Sequence, residues 1–580
     1  MSADCPRNLV SAFFGRAAAK DDAPFLWRKQ GGAWTPLSWA EVAARVAALA
    51  GALRDLGLAP GDRVLIVSEN RPEWLVADLA IMAAGGVTVP AYTSNTANDH
   101  LHVLTDSGAR FAIVSTAALA ATLLPAVARS GCCEAVIGID PLPRERIGSA
   151  RLLQWDALLA QRADDVAACA RAVESLGPDD LACLIYTSGT GGAPRGVRQH
   201  HGAILHNVAG AAAVIAEDFG LGDEVFLSLL PLSHAYEHTA GQHLPISIGA
   251  QIYYAESIEK LAANMEEARP TIMIVVPRLF ELLRARILKQ VGGQGRAAQW
   301  LLDRALALDA KAKRGPLDMP LDLLLDRTIR RRVRGRFGGR VKALVSGGAP
   351  LNPEVGRFFR ALGVALLQGY GQTEAAPIIS VNRPAAGIAM DGVGPPLTGC
   401  EVRIAEDGEI LVRGGNVMHG YWRNETESAR VLRDGWLHTG DVGHVDPAGR
   451  IVITDRKKDI IVNDKGDNVS PQRVEGMLTL EPEIAQAMVA GDRRPYLVGL
   501  LVPDRDWAAA QDSPDAVHAG LAAAVDRVNA GLSTTERVRR FLIADEPFTI
   551  ENEALTPSLK IRRHILRERY GARLDALYAR

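Results

Sequence analysis

The chain has 580 residues, 48% of them hydrophobic and 23% charged, too long for one compact core, so at least two domains are expected. A formal net charge of −2 excludes a generally basic, nucleic-acid-coating surface, and 5% aromatics exclude base stacking along a strand. The six cysteines (Cys5, Cys132, Cys133, Cys169, Cys183, Cys400) form no CxxC pair and accompany no histidine cluster, which argues against a zinc site or a disulfide framework and fits a reducing compartment.

The N-terminus lacks a basic stretch followed by an apolar run, so no signal peptide is read and a cytoplasmic location is expected. Ser38 and Glu41 form a capping box, after which Val42, Val46, Leu49, Leu53 and Leu56 share one helical face until Gly57 and Pro60 stop it. Val64 to Val67 reads as a buried strand, Glu73 to Ala83 as a helix, and Val87 to Val89 and Phe111 to Val114 as further strands. The alternation continues through 181–186, 271–276 and 342–345, the pattern of an α/β protein with mostly parallel sheets covered on both faces. The apolar segment Ala203 to Ala216 is interrupted by His206 and Asn207 and is too short to span a bilayer.

After Gly399 the period changes. Residues 401–404, 409–413 and 450–454 read as short strands joined by Asp-Gly or Ala-Gly turns, a small β-barrel-like subdomain over about 399–455. The charged run Asp455-Arg456-Lys457-Lys458-Asp459 follows, and the domain boundary is placed there: 1–457 and 458–580, the second of mixed α+β character. Lys457 reads as a solvated linker residue.

The strand Leu184-Ile185-Tyr186 runs into Thr187-Ser188-Gly189-Thr190-Gly191-Gly192-Ala193-Pro194-Arg195-Gly196. Glycines let backbone N–H groups approach phosphate oxygens, hydroxyls add donors, and Arg195 supplies countercharge. No Lys-Ser/Thr pair follows the glycines, so this is not a P-loop; taken alone, a flexible surface turn fits equally well. Further along come Leu230-Pro231-Leu232-Ser233-His234-Ala235-Tyr236-Glu237, Ser346-Gly347-Gly348-Ala349-Pro350, Gln368-Gly369-Tyr370-Gly371-Gln372-Thr373-Glu374, Gly435-Trp436-Leu437-His438-Thr439-Gly440-Asp441 and Thr556-Pro557-Ser558-Leu559-Lys560. An aromatic plane suits a purine, a hydroxyl a phosphate, and a carboxylate a hard cation.

In this order the motifs resemble those of the adenylate-forming (ANL) superfamily, and the TPxLKxxR ending resembles its long-chain fatty acyl-CoA synthetases. Two departures stand out: Gly191 where Thr is usual, and Arg195 where Lys is usual. The resemblance implies a large N-terminal domain with a smaller mobile C-terminal domain, and it implies roles. Thr187, Ser188, Gly189, Thr190, Gly192 and Arg195 would hold phosphates. Gly347, Gly348, Ala349, Gly369, Tyr370 and Gly371 would frame adenine, and Asp441 and Arg456 the ribose. Thr373 would donate to the α-phosphate, Glu374 would hold Mg2+, and His234 would sit beside the acid carboxylate. Lys560 would be the catalytic lysine, Lys458 the hinge, and Gly466 part of the thiol channel, although the turn around Gly466 reads equally well as a simple hairpin.

The implied reaction joins a fatty acid to CoA through acyl-AMP, with ATP as the other substrate. Alternatives are a ligase for a medium-chain or aromatic acid, a ligase handing its adenylate to a carrier protein, and a non-catalytic nucleotide-binding relative. The chain ends twenty residues after Lys560, so a soluble acceptor is expected. The acid pocket is expected from 203–216 and 241–254, with Gly210 and Gly241 as either tunnel or tight packing. Two basic clusters, 327–342 and 560–573, are open between CoA phosphate, the inner face of an anionic membrane, and solvated helix faces.

Overall fold

The computed structural model describes residues 6–579 apart from 143–145, 161, 163–164, 188–192, 312–314, 466 and 557–559. Two eight-stranded sheets dominate it. In the first, Ile378–Val381, Leu366–Gly371, Ala343–Ser346, Ile272–Val275, Val225–Ser228, Gln251–Tyr254, Pro24–Gln30 and Ala33–Ser38 lie side by side in that order. In the second the order is Arg195–His200, Leu181–Thr187, Val87–Ala91, Arg63–Val67, Phe111–Val114, Ala135–Gly138, Ala150–Gln154 and Arg146–Ile147. Interior pairings are parallel, and the edge strands at both ends of both sheets run antiparallel.

Helices fill three layers around these sheets. Leu9–Lys20, Trp39–Asp55, Pro72–Ala83 and His201–Phe219 share one apolar core with strands of both sheets, so they lie between them. Trp39–Asp55 starts as its sequence requires: Ser38 Oγ accepts the Glu41 amide at 3.1 Å, and Glu41 returns the bond to the Ser38 amide at 2.7 Å. Every residue of Pro72–Ala83 is buried, the acids Glu73 and Asp78 included, as expected of a mostly apolar helix packed on all sides. Outside, Ala97–Ser107 and Ala117–Ser130 cover the second sheet, and the helices of residues 261–361 cover the first.

The expected barrel-like unit is a five-stranded antiparallel sheet, Cys400–Ile404, Glu409–Gly414, Leu432–Arg433, Trp436–Val445 and Ile451–Arg456. Its strand path is open rather than closed. The ten-residue strand Trp436–Val445, which sequence presented as a motif, is its spine and pairs with three of the others. Beyond it, Ile484–Ala490, Leu497–Pro503 and Val538–Ile543 form a three-stranded sheet. Helices Pro471–Leu478 and Pro514–Ala530 cover one face of that sheet, and Arg563–Ala576 the other. This part is α+β with its own cores, as expected.

Candidate active site

A cavity of about 1700 Å³ opens where the parallel strands Ala343–Ser346 and Leu366–Gly371 end and their loops begin, the usual binding side of an open α/β sheet. Ser346 leads into Gly347, Gly348, Ala349 and Pro350, all of which line the cavity. Gly347 is there because a Cβ would lie 2.9 Å from the Tyr236 ring. Gly371 has less room still: a Cβ would meet the Pro377 carbonyl oxygen at 2.0 Å. Between them the Leu366–Gly371 strand carries Gly369 and Tyr370 to the cavity wall, and Thr373 and Glu374 follow in a 3-10 turn.

Three residues from separate motifs meet here. The Tyr370 hydroxyl donates to Asp441 Oδ2 at 2.6 Å, and Arg456 Nε lies 3.1 Å from Asp441 Oδ1. Asp441 and Arg456 are paired across adjacent strands, which fixes their spacing before any ligand arrives. Burial, with the Asp441 carboxylate beside it, pushes the Tyr370 phenol well above its ordinary range, so it stays a neutral donor.

Thr373 is buried, and its carbonyl accepts Gln199 Nε2 at 2.7 Å. Glu374 Oε1 accepts the Tyr421 hydroxyl at 2.7 Å. Sequence reading did not single out Tyr421. It arrives because residues 419–422 run beside the Arg195–His200 strand, with Trp422 N bonded to Gly196 O at 2.7 Å and Arg198 N to Gly420 O at 3.0 Å. Arg195 is engaged as well: it pairs with Glu427 and stacks 4.8 Å over the Tyr421 ring. Sequence reading assigned its charge to a phosphate; in the structure that charge already has a carboxylate partner. Thr187 and Arg195 line the cavity, while Ser188, Gly189, Thr190 and Gly192 lie outside the described residues.

His234 follows the Val225–Ser228 strand, and its Nδ1 accepts the Tyr236 amide at 3.1 Å. Burial, with the Lys560 charge nearby, lowers it to about 4. The ring is therefore neutral near pH 7, and with Nδ1 accepting, Nε2 carries the proton. Lys560 enters from the other end of the chain. Thr556 N bonds to Lys560 O at 2.8 Å and Lys560 N to Thr556 Oγ1 at 3.0 Å, two bonds that tie the lysine to Thr556 at the cavity. Burial first, and Arg456 second, push its ammonium down to about 8.

The cavity also has an apolar arm. Ala211, Val214, Ile215 and Phe219 from the His201–Phe219 helix face Ile272, Ile274, Ala343, Val345 and Leu367 of the first sheet. The expected segments supply part of this wall, but the strand residues were not foreseen. Gly210 and Gly241 resolve as tight packing, against Leu397 and the Glu237 carboxylate respectively, while Ala211 lines the space.

Lys458 is exposed in the turn after Ile451–Arg456, and no partner for it is found among the described residues. Its neighbour Lys457 corrects the sequence reading: it is no free linker cation but bonds Asp407 at 2.5 Å and Glu409 at 3.0 Å. Gly466 lies outside the described residues; around it Ile461–Val462 and Asn468–Val469 pair as a hairpin. Much of the C-terminal basic cluster is paired within the chain, with Arg563 bidentate to Glu475 at 2.6 Å and the exposed Arg569 and Arg573 paired with Glu546 and Asp545. Asp78, His238 and His243 also gather, away from this site, in the central layer.

Comparison with known proteins accounts for this arrangement. The profile of the AMP-binding enzyme family matches residues 13–422, and that of the AMP-binding enzyme C-terminal domain matches 458–580. Long-chain-fatty-acid–CoA ligase FadD15 of Mycobacterium bovis is 33% identical over 98% of this chain and 97% of its own length. Long-chain-fatty-acid–CoA ligase 6 of Homo sapiens is 30% identical over 99% of this chain and 87% of its own. Among solved structures, the adenylation domain of a carboxylate reductase from Mycobacterium chelonae superimposes with a TM-score of 0.77 at 24% identity, covering 99% of this chain and 91% of that one. The anthranilate CoA ligase AuaEII in complex with anthranoyl-AMP gives 0.75 at 20%, covering 99% and 98%.

Proposed function

The chain belongs to the AMP-binding enzymes of the adenylate-forming superfamily, and from that premise we propose that it is a long-chain fatty acyl-CoA ligase working from the site just described. A carboxylate is a poor acyl donor because its leaving group would be oxide. In the first step the carboxylate oxygen attacks the α-phosphorus of ATP, the bond to pyrophosphate breaks, and acyl-AMP forms. In the second, the CoA thiol loses its proton and attacks the acyl carbon, and AMP leaves as the thioester forms.

The residues divide the work. Asp441, already spaced by Tyr370 and Arg456, takes the ribose hydroxyls, and the glycine loop at 347–349 lets adenine lie against backbone. Thr373 donates to the α-phosphate. Glu374 fits the magnesium that enters with ATP: its carboxylate lines the cavity and is oriented by Tyr421, and a hard cation prefers such oxygen donors. Neutral His234 offers its Nε2 proton to the acid. Lys560 meets the charge that builds on the carboxylate oxygen and α-phosphate. Swinging the C-terminal part about Lys458 would then withdraw Lys560 and admit the thiol.

One observation carries the choice of acid: the apolar arm is lined by hydrocarbon side chains, mostly aliphatic, with Ile272 and the ring of Phe219 among them. Such a wall suits an alkyl chain and offers an aromatic amine or a second carboxylate nothing to pair with. The enzyme draws its acid from the inner face of a membrane, where long-chain acids partition, as a peripheral protein; no helix among the described residues is long and apolar enough to cross one. The test is pyrophosphate release and thioester formation with ATP, magnesium and CoA, comparing palmitate, octanoate and benzoate. Palmitate should give the highest kcat/KM; a preference for benzoate, or thioester formed only on a carrier protein, would overturn the proposal. In the same assay, Glu374→Gln should raise the magnesium concentration needed for half-maximal rate by about tenfold or more, and an unchanged titration would remove Glu374 from that role.

A further inference from the structure

The outer helical layer over the first sheet departs from the rest of the surface in two ways at once. Of the ten exposed large hydrophobic side chains among the described residues, six lie between 282 and 324: Leu282, Trp300, Leu317, Met319, Leu323 and Leu324. In a chain of net charge −2, the stretch 277–342 carries seventeen Lys and Arg against six Asp and Glu.

Helical geometry shows that the two features share a face. Residues 316–336 form one near-continuous helical run, whose buried stripe is Leu325, Ile329 and Val333, spaced by four. Residues offset from that stripe by two positions point to the opposite side of the run. They are Met319, Leu323, Arg327 and Arg331, all exposed. Leu317 precedes them at 95% exposure and Met319 stands at 70%, values at which most of each side chain is in water. Beside them on Arg296–Asp309, Arg304 lies 5.5 Å over the exposed ring of Trp300.

Other cations of the segment are spoken for. Arg330 pairs with Asp322, Arg334 with Asp326, Arg336 with Glu266 and Lys342 with Glu224. Arg286, Lys289, Arg296, Arg327, Arg331 and Arg332 are exposed and form no salt bridge among the described residues, and Arg327 feels a nearby carboxylate, that of Asp326.

We propose that this face, built from 282–332, is a docking surface for an anionic lipid bilayer. A rim of unpaired cations around protruding leucine, methionine and tryptophan is the chemistry of an interfacial helix: the apolar side chains enter the acyl boundary while the cations meet lipid phosphates. A partner protein would present carboxylates to this rim, but flat apolar tips spread over three helices match a fluid surface better than a fixed groove. The position also serves the reaction. Glu281, next to exposed Leu282, lines the active-site cavity, so a bilayer on this face lies against the mouth through which a lipid-soluble acid would enter. This deepens the fatty acid reading and rests on it.

The test is co-sedimentation of the full chain with phosphatidylcholine vesicles, neutral or containing about one-third phosphatidylglycerol. The wild type should bind the anionic vesicles at least about tenfold more tightly and be released by salt, as screened cations require. Arg327→Glu with Arg331→Glu should abolish the preference, and Leu317→Ser with Met319→Ser and Leu323→Ser should weaken binding about tenfold without raising the thermal midpoint or altering detergent-dispersed palmitate turnover. Equal binding to both vesicles, or variants that bind like wild type, would overturn the proposal, as would a wild-type dimer that the serine variant converts to monomer. An enzyme that makes palmitoyl-CoA yet ignores vesicles sinks this surface alone; one that binds vesicles but makes no palmitoyl-CoA sinks the fatty acid reading and leaves the surface standing.

Discussion

Lys560 shows what the structure adds to a motif. The sequence offers a lysine near the C-terminus; the structure places it beside Arg456 and close enough to depress His234, with its own ammonium lowered to about 8. In the proposed role, the protonated form is the one that would stabilise transition-state charge. Its share in the free enzyme falls from roughly nine in ten near pH 7 to roughly one in ten near pH 9. We expect kcat/KM for pyrophosphate release, measured without CoA, to fall through an alkaline limb centred near pH 8. Lys560→Arg, charged throughout, should lose that limb at whatever rate remains, and Lys560→Ala should slow adenylation by about a hundredfold or more while sparing thioester formation from supplied acyl-AMP. A limb that persists in the arginine variant belongs to another group. The partners at this scale divide by how they can be found. Tyr370, Asp441 and Arg456 are legible because each sits in its own short motif. Glu427 is not: it reaches Arg195 across 232 residues of chain, and no local pattern marks a surface glutamate as the mate of a loop cation.

At the scale of elements, the strand–helix alternation and the capping box of Trp39–Asp55 could be read directly, because period and caps are local properties. The π-helix Glu237–His243 could not. Its run of Glu, His, Thr, Ala, Gly, Gln and His has no apolar stripe, so it looks like loop, yet all seven residues are buried. The wide turn puts residues four apart on one face: Tyr236, Ala240 and Leu244 line the cavity, while His238 and Gln242 bond Asp78 at 3.0 and 2.7 Å. Glu237 and Gly241 share a third side, where the carboxyl accepts Ser228 Oγ at 2.6 Å and burial raises it to about 8. Folding thus favours the protonated acid. This contribution is complete below the unfolded carboxyl range near 4.5 and is lost as pH rises through about 8. Glu237→Gln mimics the protonated form, so its thermal midpoint should fall less than the wild type's between pH 6 and 9. Parallel curves would mean that Glu237 does not titrate in the fold.

For the whole molecule, the proposed reaction would draw on parts of the chain that meet at 457–459. Lys457 is tied to Asp407 and Glu409, whereas Lys458 beside it has no partner among the described residues. Rotation about one backbone position needs free φ, which proline removes. Lys458→Pro should therefore hold Lys560 in the cavity: a single turnover would release pyrophosphate and retain acyl-AMP, but acyl-CoA would not form. Normal acyl-CoA turnover would misplace the hinge, and loss of both half-reactions in a folded variant would make the position part of the site itself. The layering has a further consequence, for synthesis on the ribosome. Pro24–Gln30 takes its place in the first sheet beside Gln251–Tyr254, with Leu26 opposite Ile252. At ~5–20 residues per second, the early strand waits roughly ten to fifty seconds for that partner to be made. The helices between the two sheets have only half their cover during that interval. The second sheet, whose strands all come from residues 63–200, can close first and shield one side. Nascent chains halted between residues 200 and 250 should therefore recruit chaperones, and those extended past 381 should release them.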